Sequence, residues 1–188
     1  MSSICVYLGA SCGNSIAFGE AVILLGQKIA DSGSTLIYGG SSLGLMGLLA
    51  NTVKNQGGKV IGVITQQLIA KEKPPSTLDK LHVVDSMQER KRMMQSLADL
   101  FVVMPGGLGT LEEAFETWNA IKIGVLNKPI GFLNMSGFFD QLFSFTETCE
   151  KYGFLSEAHR HIPTIKDDIK LLLDHLALSH KKSSLTTA

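Results

Sequence analysis

The chain has little of what marks several protein classes. Cysteine is scarce: Cys5, Cys12 and Cys149 are the only three. An odd count without metal-ligand spacing speaks against a disulfide framework or a cysteine-based zinc site. No charge of one sign dominates, since 17 Lys and Arg face 17 Asp and Glu. No bulk positive field therefore draws the chain to nucleic acid or anionic lipid, and phosphate recognition must be local. No apolar stretch reaches the ~18 residues that span a membrane. The N-terminus runs straight into a strand-like segment without a basic n-region, so no signal peptide is expected. The histidines (His82, His159, His161, His175 and His180) include no pair at helical metal-site spacing, and no metal is expected. With 188 residues, 45% of them hydrophobic, one domain with a full core is expected, soluble and cytoplasmic.

What the chain does have is alternation. Residues 4–8, 35–38, 59–64, 81–84, 100–104 and 129–133 are short, mainly apolar runs suited to strands buried on both faces. Helical spacing fills the intervals: from Ala17 to a stop at Ser32-Gly33, from the glycines near Gly44 to about Gln56, then 86–98, 111–123, 138–152 and 167–178. Residues 65–80 carry Pro74 and Pro75, show no clear period and read as a long surface loop. A short element surrounds His161-Ile162-Pro163. The polar stretch 180–188 reads as a disordered tail, which leaves 1–179 as a single domain. The pattern predicts an α/β fold, a doubly wound parallel sheet with helices on both faces. In such sheets ligands sit beyond the carboxyl ends of strands, near the switch point. Three small-residue loops leave strands at those ends, after Leu8, Tyr38 and Met104, and should converge on one crevice.

The loop after Met104 reads Pro105-Gly106-Gly107-Leu108-Gly109-Thr110 and opens a helix. Its glycines allow close backbone approach, and a helix N-terminus favours an anion. An ordinary tight turn between strand and helix would use glycine as well. The stretch lacks the third glycine of a dinucleotide fingerprint and the Lys-Ser/Thr of a P-loop, which points to a monophosphate. Thr110-Leu111-Glu112-Glu113 also fits a capping box, so Glu113 either caps its own helix or faces the crevice. A carboxylate beside an anion-binding loop repels the ligand unless it has a second purpose. Glu112 falls on the solvated side, because Leu111, Ala114, Phe115 and Trp118 form the apolar stripe. On the preceding helix Met87, Arg90, Met94 and Leu97 share a face. The Arg90 guanidinium either snorkels to water or meets a phosphate or carboxylate. Lys91 and Arg92 read as a solvated face. Phe138, Phe139, Leu142, Phe143 and Phe145 make a wide apolar face, in part available for a subunit contact.

Tyr38-Gly39-Gly40, Gly44-Leu45-Met46-Gly47, Met87-x-x-Arg90-Lys91-x-x-Met94 and Pro105-Gly106-Gly107-x-Gly109-Thr110-x-x-Glu113 occur in that order within residues 4–155. Together they resemble the LOG ("Lonely guy") family of cytokinin riboside 5′-monophosphate phosphoribohydrolases, formerly labelled possible lysine decarboxylases. The resemblance implies a Rossmann-like fold, a homodimer, and hydrolysis of the N-glycosidic bond of nucleoside 5′-monophosphates, AMP among them, without a cofactor. It implies catalytic roles for Arg90 and Glu113. Substrate contacts are expected at Ser11, Gly40, Ser41, Met87, Lys91, Gly106, Gly107, Gly109 and Thr110. The chain departs from the family pattern at Ala10, at Ser41 in place of a third glycine, and at Gln88 where histidine is common. These positions bear on base preference. Two other readings compete: a non-catalytic carrier of a nucleotide or cofactor on the same fold, and a pyridoxal phosphate decarboxylase. The latter needs a Schiff-base lysine, and no lysine stands in a recognisable setting.

Overall fold

The computed structural model describes residues 2–186. Strands β1 (Ser3–Tyr7), β2 (Thr35–Tyr38), β3 (Lys59–Thr65) and β4 (Lys80–Val84) alternate with α1 (Ile16–Asp31), α2 (Gly44–Asn55) and α3 (Gln66–Glu72). The chain continues through α4 (Met87–Leu97), β5 (Leu100–Val103), α5 (Leu108–Lys122) and β6 (Ile130–Leu133). It ends with α6 (Asp140–Lys151), α7 (Glu157–Arg160), β7 (Thr164–Lys166) and α8 (Ile169–Thr186). The strands form one parallel sheet in the order β4-β3-β2-β1-β5-β6-β7. The chain starts in the middle at β1, winds outward to β4, then crosses back to β5 on the other side. The order therefore reverses between β1 and β5, and the loops leaving those two strands diverge to open a crevice.

Alternate side chains of each strand feed two separate cores, as the two-residue period of a strand requires. Ile4, Val6, Leu36, Tyr38 and Val102 pack against α1, α2 and α8 through Leu25, Leu49 and Leu172. Cys5, Tyr7, Ile37, Phe101 and Phe132 point the other way, onto Met94 and Ala114 of α4 and α5 and onto Phe139. Both faces of the central strands are thus dry, which is why β1, β2, β5 and β6 read as continuous apolar runs. Phe132 anchors an aromatic cluster, with Phe139 and Phe143 each 5.2 Å away between ring centroids. No helix among the described residues is long and apolar enough to cross a membrane.

Four details differ from the sequence reading. The expected loop at 65–80 contains α3, a seven-residue helix with no fully buried residue that stops at Lys73 in the left-handed region (φ 42°) ahead of Pro74. Two turns with a single half-buried face are too short to produce a detectable period. Helix α5 starts at Leu108, a turn earlier than the apolar stripe suggests, because its first residues include a weak helix former, Gly109. The element near His161 resolves into α7 and the short strand β7, which pairs in parallel with β6. Finally, α8 does not end near Leu178 but runs to Thr186, so the described part of the expected tail is helical. Extending a helix already anchored on the sheet by Ile169, Leu172 and Leu176 avoids the cost of nucleation, and polar residues can continue it. Thr187 and Ala188 lie outside the described residues.

Candidate active site

The crevice opens where β1 and β5 end side by side. Met104 donates from its N–H to the Tyr7 carbonyl (2.9 Å), and Gly9 donates to the Pro105 carbonyl (3.3 Å), which holds the two loops together at their base. Gly107 is the N-cap of α5 and offers no side chain to the helix. The first backbone bond of the helix runs from Leu111 N–H to the Gly107 carbonyl. The amides of Leu108, Gly109 and Thr110 precede it and have no acceptor within the helix. A Cβ at Gly107 or Gly109 would meet nothing within 4 Å, so the backbone faces open space there. This is a candidate anion cradle, made of amides and helix dipole. Gly106 serves another purpose. A Cβ there would fall 2.2 Å from Thr110 Oγ1 and 2.9 Å from Gly9 N, so its absence allows the buried Thr110 and the β1 loop to close up.

Thr110 is therefore the third residue of α5, not its cap, and the capping-box alternative for Glu113 fails. The Glu113 carboxylate points instead to Arg90, Oε1 accepting from Nη1 at 3.3 Å. Arg90 rides on α4, whose start is capped by Ser86, with Glu89 reaching back to the residue before the cap. Ser86 Oγ accepts from Glu89 N–H (3.2 Å), and Glu89 Oε2 accepts from Asp85 N–H (3.1 Å). Only 6% exposed, Arg90 does not snorkel. Its Nε donates to the Val63 carbonyl (2.9 Å) and its Nη2 to the Gly39 carbonyl (3.0 Å). One guanidinium thus joins the ends of β2 and β3 to α5, and these bonds use three of its five N–H donors. The absence of a side chain at Gly39 leaves room for this guanidinium, since a Cβ there would lie 2.1 Å from Arg90 Nη2 and push it aside.

The Glu113 side chain is 11% exposed. Burial pushes its carboxyl from 4.5 up to about 7, outweighing the opposing attraction of Arg90, while Glu112 and Glu72 push it further up. A carboxyl that exchanges its proton near neutral pH, inside a crevice beside an anion cradle, is equipped for acid–base or electrostatic work.

The other sequence-predicted residues divide into two groups. Ser11, Met87, Gly107, Gly109 and Thr110 line the crevice with Arg90 and Glu113, around a cavity of about 410 Å³. Gly106 lines an adjoining hollow of about 620 Å³ reached past Gly9 and Ser11. Gly40, Ser41 and Lys91 do not line the crevice. Gly40 turns with φ 77° against Ile64, and the buried Ser41 hydroxyl accepts from Leu43 N–H at 3.1 Å. Lys91 is buried, not solvated, and its Nζ sits 2.7 Å from Glu112 and 2.5 Å from Glu116. Burial works against its charge, but the two carboxylates outweigh that and hold the ammonium above its usual range. Lys91 ties α4 to α5 behind the site. Sequence reasoning missed Met46, Leu68 and Glu72, which complete the crevice wall. The last two lie on α3, and their only signal is an i, i+4 pair inside a segment without periodicity.

Fold and crevice define a single-domain Rossmann-like α/β protein with its site at the β1/β5 switch point. Among solved structures it is similar to the molybdenum cofactor carrier protein from Chlamydomonas reinhardtii, with a TM-score of 0.71 at 20% identity over 95% of this chain and 97% of that one. It is also similar to the molybdenum cofactor binding protein from Rippkaea orientalis, with a TM-score of 0.70 at 20% identity over 94% and 95%. At that identity the likeness is one of fold. The family model described as "Possible lysine decarboxylase" matches residues 46–176. The chain is 38% identical over 185 residues to the cytokinin riboside 5′-monophosphate phosphoribohydrolase LOG1 of Arabidopsis thaliana, covering 96% of this chain and 87% of the relative. It is 40% identical over 173 residues to the probable cytokinin riboside 5′-monophosphate phosphoribohydrolase LOGL9 of Oryza sativa subsp. japonica, covering 92% and 76%. The chain belongs to the LOG family of cytokinin riboside 5′-monophosphate phosphoribohydrolases.

Proposed function

We propose that the protein hydrolyses the N-glycosidic bond of adenosine 5′-monophosphates, AMP and N6-modified forms alike, to free base and ribose 5-phosphate. The observation that carries this reading is the buried Arg90–Glu113 pair (3.3 Å) beside the open N-terminus of α5. The amides of residues 108–110 receive the 5′-phosphate. Glu113 lies four residues beyond Gly109 on the same helix, about 6 Å along its axis. That is the scale of a ribose with its 5′ methylene, which keeps the carboxylate within reach of the sugar of a nucleotide whose phosphate is held at the helix start. As the C–N bond breaks, its electron pair leaves with the base and positive charge builds on the sugar. Ionised Glu113 stabilises that charge and accepts a proton from the water whose oxygen bonds to the anomeric carbon; the departing base takes its proton from solvent, and Glu113 then returns its own to solvent. Arg90 holds the carboxylate in place. The reaction so written uses neither metal nor organic cofactor.

Incubating the protein with AMP and with N6-isopentenyladenosine monophosphate, then separating the products, tests the proposal. The expected outcome is free base and ribose 5-phosphate in equal amounts from at least one of the two. If both nucleotides remain intact, the enzyme reading fails; tight binding without turnover would then favour a carrier. The family also implies a homodimer, which is part of the same proposal. Light scattering should return about twice the 20.3 kDa chain mass, and a monomer at micromolar concentration would contradict it.

A further inference from the structure

The crevice is charged against its own ligand. Glu72, Glu112 and Glu113 line it, and among the described residues Arg90 is the only cation that does. Arg90 is already engaged by Glu113. Glu72, whose buried Oε2 has no hydrogen-bond partner among the described residues, adds its charge from the α3 wall. Glu112 follows the cradle most closely, two residues beyond Thr110 on the same helix. A phosphate entering the crevice therefore meets an excess of negative charge, which weakens its binding unless a cation offsets it.

Lys91 stands where such a cation is needed. Its Nζ lies 2.7 Å from Glu112 and 2.5 Å from Glu116, carboxylates one turn apart on α5, while its side chain is 7% exposed. A tie between two helices does not by itself call for this arrangement. Burying an ammonium is costly, and well-packed apolar residues often join two elements as well or better. What an apolar tie lacks is charge. The two carboxylates outweigh the burial of Lys91 and keep it protonated. The charge reaches the catalytic group as well: burial, Glu112 and Glu72 push the Glu113 carboxyl up, and Arg90 and Lys91 pull it down.

We infer that Lys91 is a positioning residue for the reaction, which grips Glu112 and offsets that carboxylate's charge at the phosphate cradle and beside Glu113. The inference rests on the nucleotide reading of the site proposed above. Lys91 does this without lining the crevice, and it acts on the substrate only through Glu112. Glu116 holds the ammonium from the next turn and fixes it in place.

The test follows AMP hydrolysis from pH 5 to pH 9 by the wild type, Lys91→Met, Glu112→Gln and the double variant Lys91→Met/Glu112→Gln. Lys91→Met should raise KM roughly 10-fold, the worth of one uncompensated charge about 10 Å away at an effective dielectric constant of about 20. The rising limb of kcat/KM should move up by about one pH unit for the same reason, since Glu113 then ionises less readily. The double variant should return both quantities close to wild type, because the charge that needed offsetting is gone. Glu112→Gln alone leaves Lys91 with Glu116, so KM should fall and the limb should move down. Its side chain is 58% exposed, so this variant carries the test should Lys91→Met fail to fold. An unchanged KM and limb in the single variants, with only a lower melting temperature, would reduce Lys91 to a tie between helices and overturn the inference. So would a KM defect that the double variant keeps, which would mean that Lys91 touches the substrate itself. If the wild type leaves AMP intact, the enzyme reading has failed, and AMP dissociation constants from calorimetry take the place of KM. Equal values across the set, or no binding by the wild type, would then sink the Lys91 assignment separately.

Discussion

Glu113→Gln is expected to lower kcat on the proposed substrate AMP by about 10²- to 10⁴-fold, the usual worth of a positioned acid–base group, and to leave the fold intact. The amide is isosteric and can still accept from Arg90 Nη1, so what disappears is charge, not shape. Stability should move the opposite way to activity. Folding raises the Glu113 carboxyl from 4.5 to about 7, so the folded state holds this proton more tightly than the unfolded chain. The group's contribution is therefore most favourable below pH 4.5, declines as pH rises toward 7, and is constant above that. The full change is about 3 kcal/mol, at 1.36 kcal/mol for each pH unit. Glutamine carries no such dependence. Denaturant melts of the two proteins at pH 5 and pH 8 should therefore diverge, with the variant gaining on the wild type at the higher pH. Parallel curves would mean that Glu113 titrates in its ordinary range. For turnover, kcat/KM of the wild type should rise through an apparent pKa about 7 to a plateau, because the ionised carboxylate is the working form. An activity that falls over the same interval would assign Glu113 the role of acid instead.

Arg90→Met removes both the brace and the activity. The variant strands a buried carboxylate and leaves the Val63 and Gly39 carbonyls without their donor. Breaking a buried pair from one side costs about 3–5 kcal/mol. In a domain of this size that lowers the melting temperature by about 10 °C. Turnover should fall at least as far as in Glu113→Gln, since the carboxylate loses its fixed position. Arg90→Lys should not restore it, because one ammonium cannot satisfy three acceptors spread across β2, β3 and α5. Gly39→Ala should produce a milder version of the same loss, with its methyl 2.1 Å from Nη2 forcing the guanidinium aside. The decisive measurement is the double variant Arg90→Met/Glu113→Gln. Removing the stranded charge should return part of the lost stability, and strictly additive losses would show that the two side chains do not depend on each other.

Much of this site can be read along the chain because its parts lie in continuous segments. Gly106 to Glu113 is one strand-to-helix transition, and Met87, Arg90 and Met94 repeat on one helical face. What reads wrongly is where a residue's partner comes from elsewhere. Lys91 looks solvated because its stem follows a polar run, yet Glu112 and Glu116 of α5 close over it. Thr110 looks like a cap because the capping-box spacing fits, yet Gly107 already fills that position one turn earlier. Glu72 sits in a stretch without period, and the two Ser42 bonds to its carbonyl hold the end of its helix at the crevice.

The amino-acid sequence by itself determined the alternating parallel sheet, the three loops at its carboxyl edge and Arg90 and Glu113 as candidates. Each of these depends on local pattern: buried apolar runs, glycines where backbone must approach closely, and a charge set on an apolar face. Tertiary structure alone decided what each polar group does with its charge. Whether Glu113 caps or ionises, whether Lys91 reaches solvent, and whether Glu72 has a partner depend on desolvation and on donors supplied by other elements. Those terms arise only when segments far apart in the chain are packed together.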